Sequence, residues 1–400
     1  MSDTATPRNS AAAPVYDVDM YSDAVIREPW VHDRAIRDLG PLVWLPRNRL
    51  YAIGRHEDVR AALSAHDVLI SGRGVAANDT ANGMANANLL ASDPPLHDEL
   101  RRIVARPVRP DSLNAIKDRI MASAELLIDR LLVCDHFDGM TDLAHVLPVS
   151  IVSELVGLPE AGRENMLRWA GATFDMLGGD NARMQAALPV VRQMRTYCET
   201  QATPDKVRAG GWVAMLYDAA RQGLIETEKV PVLMRDYLGP ALDTTIFATG
   251  HLLYRLGTDP AQWDLLRARP DLIGNAINEA VRLDSPIRGF TRLAAQDYSV
   301  GGLTVPAGSR VLILFASANR DERKWPDPNR FDIERNVLGH VGFGHGIHAC
   351  VGMQLARLEM RSILTAMIAR VARIEVGQPD ITMNNVLRGF GRLPMRLIAA

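Results

Sequence analysis

The sequence FGHGIHACVG at residues 343–352 decides how the rest of this chain is interpreted. It places three glycines and one phenylalanine around a single cysteine, Cys350, immediately before a long helical pattern. Gly344 and Gly346 permit tight turns, and Gly352 permits close approach of the backbone. A cysteine at the start of a helix has free N–H groups directed at its sulfur, which stabilise a thiolate. The stretch therefore indicates either a ligating thiol or a buried cysteine in an ordinary turn, and residues elsewhere must decide between them.

The composition is typical of a soluble protein with a large core. Of the 400 residues, 47% are hydrophobic and 23% are charged, and the net charge is -2. This balance argues against nucleic acid or a membrane surface as the main partner. The cysteines Cys134, Cys198 and Cys350 are too few and too far apart for a disulfide framework. The sequence shows no signal peptide and no long apolar span, so we expect a cytoplasmic protein with a disordered tail over residues 1–15.

Hydrophobic periodicity predicts a mainly helical chain with small β-sheets near both ends. The longest helical pattern covers residues 230–256 and should cross the interior, and another follows the cysteine over residues 353–371. Residues 70–90 lack a pattern and are predicted as a long loop, which in a compact domain usually has a function. Asp93 is predicted to cap a helix that has Pro94 at its first position. Short strands are predicted over residues 42–45, 50–53, 292–294, 298–300 and 311–314, and from residue 374 onward.

Two metals compete as the partner of a ligating Cys350. Zinc is suggested by the nearby His345 and His348, but no second cysteine or histidine pair stands at a spacing typical of zinc sites. Zinc would also leave the phenylalanine and the glycines unexplained. Heme iron is the alternative, because a cysteine thiolate is one of its proximal ligands and favours cleavage of the O–O bond.

The pattern FGxGxHxCxG at residues 343–352 resembles the heme-binding signature of the cytochrome P450 family, with every defining position filled. Four further family motifs occur in the expected order, and the resemblance covers essentially the whole chain after the tail. It implies one domain over residues 16–400 with the cytochrome P450 fold, which is mainly α with small β-sheets, a triangular helix-rich domain with a β-rich edge. It also implies a bound heme b (iron protoporphyrin IX), with Cys350 as the iron ligand and with Phe343 and Gly344 against the cofactor.

The resemblance assigns heme-propionate binding to four residues and a structural role to three others. Two carboxylates on a largely buried porphyrin require cationic partners. The structural group locks the segment before the cysteine loop, and it combines a Glu-x-x-Arg pair on one helix face with an arginine from the sequence PNRF at residues 328–331. The propionate group is His97, Arg101, Arg292 and His348, and the structural group is Glu279, Arg282 and Arg330.

Asp243 and Thr244 match the acid–alcohol pair that relays protons to bound dioxygen in the family. A threonine hydroxyl inside a helix normally bonds to the carbonyl four residues earlier, here that of Pro240. Pro240 also removes a helical hydrogen bond, which predicts a kink. The family usually has glycine where Ala241 stands, and this departure bears on the width of the oxygen-binding notch.

Within the family, the chain looks closest to bacterial enzymes that oxidise small para-substituted aromatic acids. The supporting sequences are SGRGV at 71–75, LDTT at 242–245, residues 340–359 and NNVLRG at 384–389. Those enzymes cleave methyl aryl ethers by hydroxylating the methyl group, after which the hemiacetal loses formaldehyde.

One departure bears on the substrate. That group holds the substrate carboxylate partly with an arginine and a serine in the loop before Asp93, whereas residues 79–90 contain no Arg, Lys or Ser. Arg235 is retained, but its neighbour Asp236 repels an anion. The hypothesis is therefore a neutral methoxyarene or phenol, and the alternative is a para-substituted benzoate held by Arg235 or Arg288. The predicted pocket residues are Val75, Leu89, Phe174, Leu177, Arg235, Asp236, Ala241, Arg288, Phe290 and Phe390.

The chain shows no flavin or iron–sulfur module, so its two electrons are expected from a separate ferredoxin and a ferredoxin reductase. A basic group on the cysteine side either docks an acidic ferredoxin or belongs to ordinary solvated helix faces. The leading function is a monooxygenase that uses O2. A peroxide-driven heme enzyme is the second interpretation, and a heme-based gas or redox sensor is the alternative from another class. The basic group is Arg102, Arg106, Arg109, Arg357 and Arg361.

Overall fold

The computed structural model describes residues 12–85 and 87–400 of the chain. The predicted disordered tail over residues 1–15 lies mainly outside these residues. In the part that is described, Val15 forms a parallel bridge with Trp44, and the Trp44 N–H donates to the carbonyl of Pro14 at 2.8 Å. The chain is therefore joined to the fold from Pro14 onward.

Helices are the main type of element among the described residues, which confirms the mainly helical class. The helices are α1 Asp23–Arg27, α2 Pro29–Leu39, α3 His56–Ser64, α4 Asp79–Gly83, α5 Leu96–Val104, α6 Pro110–Leu132, α7 Ser153–Val156, α8 Glu160–Met176, α9 Ala182–Thr200, α10 Trp212–Arg221, α11 Val230–Leu238, α12 Asp243–Thr258, α13 Pro260–Ala268, α14 Ile273–Leu283, α15 Phe315–Ala318 and α16 Met353–Arg370.

The strands form small sheets, as the periodicity predicts. They are β1 Val43–Leu45, β2 Leu50–Ile53, β3 Leu69–Ile70, β4 Phe137–Asp138, β5 Gly289–Ala294, β6 Tyr298–Val300, β7 Leu303–Val305, β8 Arg310–Leu314, β9 Val371–Val376, β10 Asp380–Ile381, β11 Phe390–Arg392 and β12 Pro394–Ala399.

The largest sheet brings three strands from the first 70 residues together with two strands from residues 289–314. Its order is β1-β2-β8-β5-β3, in which β2 and β8 are parallel and the other pairs are antiparallel. The sheet β4-β12-β9 pairs the last strand with one from the middle of the chain. The remaining strands form two two-stranded sheets, β6-β7 and β10-β11.

Helix α12 runs through the interior, because every residue from Thr245 to Leu253 is buried. The prediction of one continuous helix over residues 230–256 is nevertheless wrong. The structure has two helices, α11 and α12, and residues 239–242 between them are not helical. Pro240 has no N–H to donate, and Leu242 departs from helical geometry with φ -110° and ψ -67°. The kink predicted at the proline is therefore a full interruption.

The region before α5 also differs from prediction. The segment predicted as a loop contains α4, capped by the Asn78 side chain, which accepts the Ala81 N–H at 2.8 Å. Asp93 does not cap α5. Its carboxylate instead accepts the N–H groups of Ser71 and Gly72, both at 2.8 Å, and so ties the start of the segment to the start of the helix.

None of the helices among the described residues is long and apolar enough to cross a membrane.

Candidate active site

A cavity of about 290 Å³ lies between the cysteine loop, α12 and the segment before α5. Its walls come from distant parts of the sequence, which the fold brings together. The predicted residues found in its wall are Leu89, Arg101, Phe174, Leu177, Arg235, Asp236, Ala241, Thr244, Phe290, Arg292, Phe343, Gly344, His348 and Cys350.

The cysteine loop folds back on itself before α16. Gly344 and Gly346 have φ of 73° and 72°, a region that L side chains rarely adopt. A Cβ on Gly346 would stand 2.5 Å from the carbonyl oxygen of Leu63, so only glycine fits against α3 there. The Cys350 N–H donates to the carbonyl of Phe343 at 2.8 Å and closes the loop.

Cys350 lies deep in the protein, yet it is exposed to the cavity. Burial raises the pKa of its thiol. That rise is partly offset by three groups that lower the pKa, namely the backbone N–H of Gly352, the charge of Arg101 and the N–H of Met353. Directed N–H groups and a nearby arginine suit a thiolate, and a bound metal cation would hold it deprotonated.

Two imidazole rings, that of the buried His97 and that of the half-buried His348, face each other near this loop. The ring centroids of His97 and His348 are 4.5 Å apart, and the Nε2 atom of each ring is buried with no hydrogen-bond partner among the described residues. The Nδ1 atom of His97 lies 2.9 Å from a carboxylate oxygen of Asp98, which fixes the ring. Buried polar atoms normally have partners, so these two indicate a missing polar group.

Two arginines complete the polar side of the cavity. Arg101 donates to the carbonyl of Ala349 at 2.7 Å, and Arg292 donates to that of Thr291 at 2.8 Å. Burial lowers the pKa of Arg292 to about 10, and burial together with the charge of Arg292 lowers the pKa of His348 to about 3. Two guanidinium groups beside the unpartnered imidazole nitrogens fit a ligand that carries carboxylates.

The opposite wall begins at the break between α11 and α12. The hydroxyl of Thr244 donates to the carbonyl of Pro240 at 3.0 Å, which is the local bond predicted from the sequence. Thr244, Thr245, Pro240 and Ala241 all line the cavity. Asp243 is not part of this wall, because its carboxylate lies beside Gly171 of α8.

Arg235 and Asp236, near the end of α11, line the cavity side by side. Asp236 accepts the side-chain N–H of Asn88 at 2.6 Å and the backbone N–H of Leu89 at 3.0 Å. Burial raises the pKa of Asp236 to about 6, against the lowering effect of these donors and of Arg235. The carboxylate therefore fastens the segment before α5 over the cavity and adds negative charge to the wall.

Three of the predicted pocket residues lie elsewhere. Arg288 is buried and donates to the carbonyl of Met20 at 3.1 Å, so it is directed toward the N-terminal segment. Phe390 stacks edge-on against His251 of α12, at 4.6 Å between ring centroids. Val75 is buried where its carbonyl accepts the N–H of Thr291 in β5. The prediction that placed these residues in the pocket is corrected accordingly.

The predicted charge cluster of Glu279, Arg282 and Arg330 is wrong in one residue. Arg282 and Glu279 are fully buried and form two N–H···O bonds of 2.6 and 2.8 Å. The third side chain is Arg335, whose Nε lies 3.1 Å from Glu279. Arg330 is exposed and contributes only its carbonyl, because its side chain points outward from the turn.

Sequence reasoning missed Arg335, Asn88 and the anchoring role of Asp93. The only signal for Arg335 was a second arginine five residues after the predicted one. Among the described residues, no three His, Cys, Asp or Glu side chains are arranged to hold a metal ion, so the set required for zinc is not found there.

Comparison with known proteins agrees with this geometry. The family model for Cytochrome P450 matches residues 256–394. Cytochrome p450 CYP199A2 of Rhodopseudomonas palustris is 34% identical over 99% of this chain and 98% of its own. Linalool 8-monooxygenase of Pseudomonas putida is 29% identical over 95% of this chain and 97% of its own.

Solved structures show the same fold. Cytochrome P450 CYP109Q5 from Chondromyces apiculatus superposes with a TM-score of 0.80 at 27% identity, covering 96% of this chain and 99% of that one. P450BioI, solved with a ligated acyl carrier protein, gives a TM-score of 0.84 at 22% identity over 94% of this chain and 99% of its own. The predicted fold is therefore confirmed, and the chain belongs to the cytochrome P450 family of monooxygenases, whose members bind heme b through a cysteine thiolate.

Proposed function

We propose that the cavity holds heme b with Cys350 as the iron ligand. His97, Arg101, Arg292 and His348 would bind the propionates, because they supply two guanidinium groups in the cavity wall and two buried nitrogens that have no hydrogen-bond partner among the described residues. Heme bound through a thiolate supplies the electron density that favours O–O cleavage. Phe343 and Gly344 would lie against the cofactor.

Thr244 is proposed to position a proton donor at the cavity wall, with Asp243 as the acid behind it. The Thr244 hydroxyl donates to the carbonyl of Pro240, so its oxygen remains able to accept a proton-donating partner. The missing N–H at Pro240 and the break at residues 239–242 leave room beside this hydroxyl.

We further propose a small neutral aromatic substrate, either a methoxyarene or a phenol, which is hydroxylated or O-demethylated. The observation that carries this proposal is Asp236, whose carboxylate lies in the wall beside Arg235. A buried anion next to the one pocket arginine of α11 offsets its attraction for a second carboxylate. The remaining walls include apolar groups, among them Leu89, Phe174 and Phe290.

A para-substituted benzoate is the second candidate, and Arg235 is the observation that favours it. Arg235 lines the cavity, whereas Arg288 is directed away and is removed as a carboxylate ligand. Linalool 8-monooxygenase, a relative named for a neutral alcohol, supports the neutral substrate class.

Electrons are proposed to come from a ferredoxin and its reductase, through the basic group on the cysteine side. Arg102, Arg109 and Arg361 are exposed there and are available to an acidic partner. Arg357 has a local role instead, because it bonds to Asn278 and lies over the Phe343 ring at 5.0 Å.

The test is a titration of the heme-loaded protein that follows the low-spin to high-spin shift, with 4-methoxyphenol and 2-methoxyphenol compared with 4-methoxybenzoate. The phenols should give the larger shift, and turnover with ferredoxin and reductase should release formaldehyde and the demethylated phenol. The matched variant Arg235→Gln should leave phenol binding unchanged. A strong shift with 4-methoxybenzoate that Arg235→Gln abolishes would establish the benzoate candidate instead.

A further inference from the structure

The carboxylate of Asp243 lies against α8 instead of in the cavity wall. Its Oδ2 atom is 3.4 Å from the point that a Cβ on Gly171 would occupy, so the carboxylate lies directly beside α8 at this residue. No basic residue of the described part of the chain acts on it. The charged group that acts on Asp243 is Asp175, one helical turn after Gly171 on the same face of α8.

Asp175 is held in place by a polar group from the C-terminal part of the chain. Its Oδ1 atom accepts the backbone N–H of Asn385 at 2.8 Å, and the Asn385 amide donates to the main-chain carbonyl of Asp175 at 2.8 Å. The Asn385 side-chain oxygen accepts from Asn181 at 2.8 Å and from the Nε of Arg183 at 2.9 Å. The carboxyl is therefore fixed, while the side chain keeps partial solvent exposure.

Both carboxyl groups resist ionisation. Burial raises the pKa of Asp175 to about 6, against the lowering effects of the Asn385 N–H and of Arg183. Burial, and then the charge of Asp175, raise the pKa of Asp243 to about 7. Two carboxylates that interact in this way do not both ionise readily, so the pair holds one proton near neutral pH.

We propose that Asp175 is a positioning residue that holds a proton for Asp243, which then supplies it to the cavity beside Thr244. The inference rests on the proposed role of Asp243 and Thr244. In the transfer, the O–H bond of the Asp175 carboxylic acid breaks, the proton passes along an intervening solvent molecule, and an O–H bond forms on the Asp243 carboxylate. Asp175 then regains a proton from solvent.

Among the residues that the structure describes, one basic group acts on the pair. Arg183 from α9 favours ionised Asp175, and Asp23 at the start of α1 forms an ion pair with Arg183 and offsets that effect. Asn384 and Asn385 are neutral, and Asn384 donates to the carbonyl of Gly171 at 3.1 Å. The network thus leads from an exposed ion pair to the acid behind Thr244.

The experiment compares Asp175→Asn, Asp175→Glu and Asp243→Asn in the heme-loaded protein with ferredoxin and reductase. Asp175→Asn should slow turnover by about tenfold or more and raise the solvent isotope effect, with the heme spectrum and substrate affinity unchanged. Because the variant removes a negative neighbour, the pKa of Asp243 should fall. The loss of rate with rising pH should then occur at lower pH than in the wild type. Asp175→Glu should restore the rate.

The outcomes separate the two proposals. A wild-type pH profile and isotope effect in Asp175→Asn, with Asp243→Asn impaired, would overturn this inference alone. A wild-type rate in Asp243→Asn would overturn the proposed proton role together with it. If Asp175→Asn does not retain heme, infrared spectra decide: a protonated-carboxyl band at neutral pH should disappear in Asp243→Asn and shift in Asp175→Glu. No change of that band in either variant would contradict the shared proton.

Discussion

Glu279 and Arg335 lie 3.1 Å apart, and this contact ties α14 to the segment that leads into the cysteine loop. Glu279 is fully buried and also holds Arg282, and Arg335 further donates to the carbonyls of Pro326 and Asp327. The position of Cys350 thus depends on a charge cluster far from it in sequence.

Replacing Arg335 by alanine should destabilise the protein by about 3 kcal/mol, because it leaves part of a buried carboxylate uncompensated. The matched control Arg330→Ala removes an exposed side chain and should change the free energy of unfolding by less than about 0.5 kcal/mol. Urea denaturation of both variants measures the difference. Equal destabilisation by the two substitutions would contradict the assignment.

Thr244→Ala should leave the heme spectrum and substrate affinity intact but lower the coupling of electrons to product. The substitution removes the hydroxyl that lines the cavity and bonds to the carbonyl of Pro240. We expect a loss of product per electron pair of about tenfold, with more peroxide released. Thr244→Ser keeps the hydroxyl and should retain most of the coupling. Wild-type coupling in Thr244→Ala would remove this residue from the proton path.

His97→Ala and His348→Ala should each weaken heme retention, because each removes a buried nitrogen that has no hydrogen-bond partner among the described residues. A hydrogen bond to a charged group is worth about 1.5–3 kcal/mol, which corresponds to a loss of affinity of roughly ten- to a hundredfold. Transfer of heme to apomyoglobin measures the release rate. His136→Ala, an exposed histidine, is the control. Release as slow as in the control would argue against propionate binding by these side chains.

Binding of 4-methoxybenzoate should strengthen as pH falls through about 6, whereas binding of 4-methoxyphenol should not change. The cause is Asp236, whose pKa is raised to about 6 by burial, so that its carboxyl loses its negative charge below that pH. The benzoate keeps its charge at about pH 5, and repulsion between the two anions is then removed. Spin-shift titrations at about pH 5 and about pH 7.5 test this. Benzoate binding that is independent of pH would show that Asp236 does not oppose anions.

Glu359→Gln should remove a pH dependence of stability. Burial raises the pKa of Glu359 to about 8 from 4.5, and its Oε1 atom has no hydrogen-bond partner among the described residues. Between those pH values the folded state holds a proton that the unfolded state has lost, so stability falls as pH rises, by up to about 1.4 kcal/mol per pH unit. Unfolding of Glu359→Gln should lack this slope. The control Glu334→Gln, at an exposed residue, should keep the fall in stability with rising pH. An equal pH dependence in both variants would show that a group other than Glu359 causes it.

The sequence alone was sufficient for features set by local chemistry. The bond from Thr244 to Pro240 follows from helix geometry, and the strand over residues 50–53 is found with the predicted bounds. The mainly helical class follows from periodicity, and the positive φ values at Gly344 and Gly346 follow from glycine spacing.

Features that depend on which side chain reaches a distant partner were not predictable. Arg330 and Arg335 lie on the same turn-rich segment, and only the folded path decides that Arg335 reaches Glu279. Arg288 lies one residue before β5, so the inward–outward alternation of a strand does not predict where its side chain points. The side chain donates to the carbonyl of Met20 and does not line the cavity. Pro240 predicted a kink, but the length of the break depends on how α11 and α12 pack separately.

The interruption between α11 and α12 affects how the enzyme can evolve. Arg235 and Asp236 belong to α11, whereas Asp243 and Thr244 belong to α12, and residues 239–242 separate the two rigid elements. Substitutions that rotate or shift α11 alter which molecules are accepted without moving the groups behind Thr244. Substrate range and reaction chemistry are therefore able to drift independently, because changes in one short helix are enough to alter the wall beside Arg235 and Asp236.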